Sequence, residues 1–205
     1  MSTTLIIIIV TCIASYASWQ NPSKQHAYLM NPYQIVQRNQ YYRLITSGFL
    51  HADYMHLIFN MLTLFFFGDI VEFYFNQVSE YGTILYVVMY LLAMVVADIP
   101  TVIKYKDSPH YNALGASGAV SAVVFSSILF NPLNELCLYG ILCLPGFIFG
   151  VIYIIYSYYQ GKRKNDNINH DAHLFGALFG AVFSIVVWPK LVLHFIDQMT
   201  QFSLF

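Results

Sequence analysis

The chain has 205 residues, of which 58% are apolar and only 9% charged, with nine Lys and Arg against ten Asp and Glu. Soluble chains carry about a quarter charged residues, so this composition cannot clothe a globular surface in water and excludes a soluble enzyme. A net charge of -1 gives no hint of a nucleic-acid partner, whose phosphates attract basic surfaces, and none is expected.

A window of about 20 residues finds six candidate membrane spans in chain order, at 3–19, 55–76, 82–103, 115–131, 136–159 and 172–196. They leave no room for a soluble domain, so residues 1–205 are expected to form one integral membrane unit in the lipid bilayer. Ser15-Tyr16-Ala17 in the first span resembles a signal-peptide cleavage site, but no basic segment precedes it, and a retained helix is expected. Pro22 and Pro32 open a long connection, 20–54, with several aromatics and Arg43. Loops of that length are seldom structureless, and aromatics with Arg suit the headgroup zone, so an ordered interfacial loop is expected. The later connections are short. Cys12, Cys137 and Cys143 all fall in apolar runs and read as small hydrophobes rather than as a disulfide or metal framework.

Polar groups inside membrane spans are costly and therefore informative. The second span opens on His51-Ala-Asp-Tyr-Met-His56-Leu-Ile-Phe-Asn60, with His56 and Asn60 one helical turn apart on one face. The fourth opens on Leu-Gly115-Ala-Ser117-Gly118, and Ser117, Gly118, Ser121 and Ala122 make a face of small residues. The sixth opens on Asn169-His170-Asp171-Ala172-His173, and His173, Gly176 and Gly180 share a face. Small residues at that spacing let membrane helices approach closely, which would bring Ser117 and His173 together. A weakly nucleophilic hydroxyl needs an adjacent base, and a neutral imidazole can take its proton and return it to a leaving amine. His56, Asn60 and the Ser117 backbone N–H, at a helix N-terminus, are candidate oxyanion donors. Asp171 lies about 200° round the helix from His173 and is a poor orienting carboxylate.

On spacing alone two other readings stay open. The small residues, His56, Asn60 and His173 can be helix-packing groups and nothing more. Alternatively, seven histidines can mark a metal or proton transporter, with His51/His56 and His170/His173 as ligand pairs. Against the transporter stand the lack of a carboxylate one turn after His56 or His173 and the absence of a His-Glu-x-x-His motif.

Tyr42-Arg43, His51, Met55-His56-Leu57-Ile58-Phe59-Asn60, Glu72, Gly115-Ala116-Ser117-Gly118 and Ala172-His173 with Gly176 and Gly180 together resemble the rhomboid intramembrane serine proteases over about residues 40–185. The resemblance implies an all-α membrane protein, a six-transmembrane-helix bundle with an interfacial loop between the first and second helices. It implies a Ser117 nucleophile, His173 as general base, and an oxyanion hole of His56, Asn60 and the Ser117 backbone N–H. Gly115, Gly118, Gly176 and Gly180, with Arg43 and Glu72, take structural roles, Glu72 tying helices together. No third acid, cofactor or metal is implied. The partner is a membrane protein cut near a helix-destabilised part of its transmembrane segment. An inactive relative serving as a binding scaffold typically lacks the serine or histidine, and both are present.

The chain departs from the pattern at Ser121, where some members carry a Tyr that stacks on the catalytic imidazole, so another group must hold His173. Tyr42 stands where Trp is frequent. His170 has no family role, and capping or solvation of the sixth helix is its expected use. Asp98, His26, His110 and His194 carry no motif. The family arrangement implies a bacterial cytoplasmic membrane with the site opening to the external side. The charges disagree: Lys24, Arg38, Arg43, Lys104, Lys106, Lys162, Arg163 and Lys164 lie in or beside the first, third and fifth connections, which the positive-inside rule would place in the cytoplasm.

Overall fold

The computed structural model describes residues 1–138, 142–163, 166 and 168–202, and helices dominate it. Helix α1 (Thr3–Trp19) starts where the Ser2 side chain accepts the Leu5 N–H. The connection that follows contains α2 (Pro22–Tyr28) and α3 (Pro32–Arg38), each begun by an Asn whose side chain caps the helix, with Pro in the first turn. Asn satisfies an orphan backbone N–H there, and Pro sits where its missing N–H costs nothing. A short α4 (Arg43–Thr46) and a 3₁₀ turn, Ser47–Phe49, complete it.

Next come α5 (Tyr54–Val78), α6 (Gly82–Tyr105) and α7 (Ser117–Phe130). After them stand α8 (Gly146–Arg163), α9 (His170–Val187) and α10 (Leu191–Thr200). Helices α5, α6 and α9 are long and apolar enough to cross a membrane, and α1 and α7 are shorter apolar helices. Helix α7 forms the centre: every residue but Ser117 and Leu129 is buried, and α5, α6, α8 and α9 all pack on it. Its pairing with α9 brings backbones into contact, because a Cβ built on Gly176 would stand 2.1 Å from the Gly118 carbonyl oxygen and one on Gly180 2.1 Å from that of Ala122.

Three expectations need correction. The fifth span begins ten residues later than 136: β1 (Glu135–Leu138) and β2 (Leu142–Pro145) form an antiparallel hairpin, and α8 starts at Gly146. Pro145 favours extended backbone at Leu144, and the Gly146 N–H donates to the Asn134 carbonyl. In this hairpin Cys137 lies opposite Cys143 and is disulfide-bonded to it, so these two are a covalent pair and only Cys12 is a free thiol among the described residues. The sixth span is not continuous to 196. Pro189 disfavours helical backbone at Trp188, α9 ends at Val187, and α10 restarts at Leu191.

Candidate active site

Ser117 is the first residue of α7 and His173 lies in the first turn of α9, so the Gly118–Gly176 contact sets both at the same end of the closest helix pair. A 14-residue helix rises about 21 Å, less than the ~30 Å of bilayer hydrocarbon, so α7 is too short to cross that layer, and embedded in it one end would stop within. Irregular backbone at that depth has to be covered by protein. The segment before Ser117 is so covered: Met30 and Ala113 exchange two backbone hydrogen bonds, of 2.9 and 3.0 Å, and the Gly115 N–H donates to the Ser47 carbonyl. The short helices of the first connection thus hold the approach to the serine.

Gly115 has φ +126°, a conformation that needs glycine, and a Cβ there would stand 2.6 Å from His56 Cε1. His56 thereby reaches the Gly-Ala-Ser turn. Asn60 is buried one turn further along α5, where its side-chain amide donates to the His56 carbonyl at 2.9 Å. A cavity of about 30 Å³ adjoins the serine, lined by Ser47, Asp98, Gly115, Ser117 and Asn169 among others, room enough for a water.

Among the described residues no hydrogen bond joins Ser117 Oγ to His173; an indirect link does. The Ser121 hydroxyl donates to the Ser117 carbonyl at 2.8 Å and lies 2.7 Å from the Tyr153 hydroxyl, while the Tyr153 ring stacks on the His173 imidazole at 6.3 Å and 14°. Tyr153 comes from α8, and nothing in its local sequence marks it.

His51 is more deeply built in than its motif position suggested. Fully buried just before α5, it places Nδ1 3.0 Å from Ser15 Oγ and Nε2 3.4 Å from the Ala116 N–H, and its ring meets that of His56 at 4.9 Å. The Trp19 indole N–H and the Gln25 amide both donate to its carbonyl. Burial first, and then the neighbouring His56, hold its pKa down to about 3 against an opposing pull from Asp53.

The outer residues have other partners. Arg43 is buried and donates to the carbonyls of His26 and Leu29 and to the Gln40 side chain. Glu72 Oε1 accepts from Thr3 on α1 and Thr83 on α6. Asp171 pairs with Lys104 at 2.5 Å. His170 does not cap α9: the Asn169 side chain does, accepting the Ala172 N–H and also the Thr101 hydroxyl. His170 is buried instead, with Nε2 3.0 Å from Asp166. His194 lies 3.1 Å from the Phe130 carbonyl, at the opposite end of α7 from Ser117. Lys164 lies outside the described residues. No group of three or more His, Cys, Asp or Glu able to hold a metal occurs among the described residues.

A rhomboid domain family model matches residues 38–190. The chain is 26% identical over 188 residues to RHOMBOID-like protein 12, mitochondrial, of Arabidopsis thaliana, covering 85% of this chain and 55% of that protein. It is 30% identical over 162 residues to a provisionally named rhomboid protease, YdcA, of Bacillus subtilis (76% of this chain, 71% of the relative). It is 28% identical over 169 residues to Rhomboid-related protein 1 of Caenorhabditis elegans (80% and 45%). The chain therefore spans about half the length of the Arabidopsis and nematode relatives and most of the bacterial one. With a domain match over most of its length and three helices long and apolar enough to cross a membrane among the described residues, the chain belongs to the rhomboid family.

Proposed function

We propose that the protein is an intramembrane serine endopeptidase acting on the transmembrane segments of other membrane proteins, within a six-helix bundle whose first connection lies at the interface. Ser117 Oγ attacks the scissile carbonyl carbon while His173 takes its proton. His56, Asn60 and the Ser117 backbone N–H bind the oxyanion, and His173 then delivers the proton to the leaving amine. Water attacks the acyl-enzyme with His173 again as base, and the cavity beside Ser117, with Ser47, Asp98 and Asn169 in its lining, offers it a place. The observation that carries this reading is the backbone contact of Gly176 on Gly118, which supports serine and histidine acting together. The family match and the bacterial relative's name support it too. In the structure the Asn60 amide is engaged by the His56 carbonyl, so this reading requires it to turn toward the oxyanion when substrate binds.

The test is cleavage of a generic transmembrane rhomboid substrate by purified protein without added metal. Ser117→Ala and His173→Ala should each abolish turnover, and a fluorophosphonate should label Ser117 only when His173 is present. Cleavage by folded Ser117→Ala protein, or loss of wild-type activity to a chelator, would overturn the reading.

A bacterial cytoplasmic membrane with the site opening to the external side is the proposed setting, by analogy with the family. A second reading, a site opening to the cytoplasm, is favoured by two specific observations. Every described Lys and Arg except Lys190 lies in or beside the first, third and fifth connections, the third of which leads into Ser117, and the Cys137–Cys143 disulfide follows the opposite end of α7, as an oxidising compartment on that side would explain. A cysteine at Lys106, with Cys12, Cys137 and Cys143 removed, decides between them. Reaction with an impermeant thiol reagent in intact cells gives the external site, and reaction only after permeabilisation gives the cytoplasmic one.

A further inference from the structure

Ser121 raises a specific question, because the position one turn after the nucleophile carries a hydroxyl too short to reach the imidazole of His173. The structure fills that space from another helix. Tyr153, on α8, lies nearly parallel to the His173 ring, and its own ring is boxed by Phe125 of α7 at 5.5 Å and Phe149 of α8 at 6.1 Å. Centroid separations of about 4.5–7 Å in offset geometry are those of attractive aromatic pairs. At the other end of the side chain, the Tyr153 hydroxyl lies 2.7 Å from Ser121 Oγ. Ser121 has one proton and gives it to the Ser117 carbonyl, so the Tyr153 O–H is the donor in this pair.

We propose that Tyr153 is a positioning residue that holds the His173 imidazole in register with Ser117, with Ser121 as its anchor. One side chain thus links both halves of the dyad: its ring restrains the base, and its hydroxyl is tied through Ser121 to the backbone of the nucleophile. The small residue at 121 is what makes this possible, because a larger one would occupy the space into which the Tyr153 hydroxyl points. Helix α8 otherwise turns a largely exposed apolar face outward, with Val151, Ile152, Ile155, Tyr156 and Tyr159 all about half exposed. The Tyr153 contacts therefore make the placement of the catalytic base depend on how α8 docks against α7 and α9.

The inference rests on the serine protease reading, and the experiment separates the two. The rate constant, KM and fluorophosphonate labelling rate are measured for wild type, Tyr153→Phe, Tyr153→Leu, Tyr153→Ala, the double variant Ser121→Tyr with Tyr153→Ala, Ser117→Ala and His173→Ala, with thermal unfolding confirming that each is folded. Tyr153→Phe keeps the ring and loses the anchor, so kcat should fall only about threefold. Tyr153→Leu keeps an apolar side chain, though a smaller one, without a π face, and should lower kcat and the labelling rate about tenfold or more with KM little changed, an effect of about 1.4 kcal/mol on the barrier. Adding Ser121→Tyr to Tyr153→Ala, which delivers the ring from α7 instead, should recover most of the loss seen in Tyr153→Ala alone. Equal rates for the Phe and Leu variants, a change confined to KM, or no recovery in the double variant would overturn the proposal even while Ser117→Ala and His173→Ala stay inactive. Activity in those last two would overturn the protease reading instead.

Discussion

Adding one methyl group at Gly176 tests how much of the site depends on the contact between α7 and α9. The Cβ of Gly176→Ala would stand 2.1 Å from the Gly118 carbonyl oxygen and 2.8 Å from its carbonyl carbon. Both neighbours are backbone, so no side chain can swing aside. Restoring an ordinary contact of more than about 3 Å means moving α9 away from α7 by about 1 Å. Overpacking of this kind costs about 1–3 kcal/mol, offset in part by the roughly 1 kcal/mol by which Ala favours helix over Gly. The functional cost should be larger. Gly176 lies one turn after His173 on the same face, so the shift moves the proposed base relative to Ser117, and a 1 Å misplacement can cost about 100-fold in rate. Thermal unfolding in detergent and cleavage kinetics on one preparation measure both. Gly150→Ala is the control, because its Cβ would meet Ile128 and Phe125 at an ordinary 3.6 Å. Gly180→Ala, which meets the Ala122 oxygen at 2.1 Å, should destabilise similarly but slow cleavage less, being one turn further from the dyad. Wild-type cleavage by Gly176→Ala, or equal damage from Gly150→Ala, would refute the reasoning.

Asn60→Ala and His56→Ala should each slow cleavage by about 10²–10³ or less, since loss of one oxyanion donor costs that much and others remain; unchanged turnover in both would return these residues to helix packing. His51, whose pKa of about 3 in the folded chain lies below its ordinary 6.5, stays neutral while the unfolded chain takes a proton. Its contribution to stability is therefore complete above pH 6.5 and declines by about 1.4 kcal/mol per pH unit as pH falls toward 3. Unfolding measured from pH 7 to 4 should show a slope smaller by about one proton in His51→Gln, and an identical slope would contradict the burial argument. Peptide mapping without reductant should recover Cys137 joined to Cys143 and Cys12 free to alkylate; recovering all three alkylated would remove the disulfide from the argument about orientation.

What could be read directly from the chain was whatever one helix decides by itself. Runs of apolar residues imply spans, and the starts of α5, α6, α7 and α9 fall within three residues of the expected positions. The helical repeat alone puts His56 with Asn60, and His173 with Gly176 and Gly180, on common faces. The same logic failed where local chemistry interrupts an apolar run. Leu136, Cys137, Leu142 and Cys143 are as hydrophobic as a helix but pair as a hairpin, and hydrophobicity alone does not separate the two. Pro189 disfavours helix at the residue before it, but the apolar residues on both sides of it read as one long span.

Contacts between elements belong to the tertiary structure. Ser121 was legible as a missing aromatic, yet the ring that takes its place, Tyr153, lies 32 residues away on another helix, and no periodicity within α7 or α9 points to it. His51 stood in the sequence as one more histidine near His56, and only the fold sets it between Ser15 of α1 and the backbone N–H before Ser117. The sequence alone determined which groups exist and which share a helix face, because spacing within a helix is fixed by hydrogen bonds between near neighbours. Which faces meet, and which distant side chain lies against His173, was decided by packing among helices, where the approach of two backbones depends on every side chain between them.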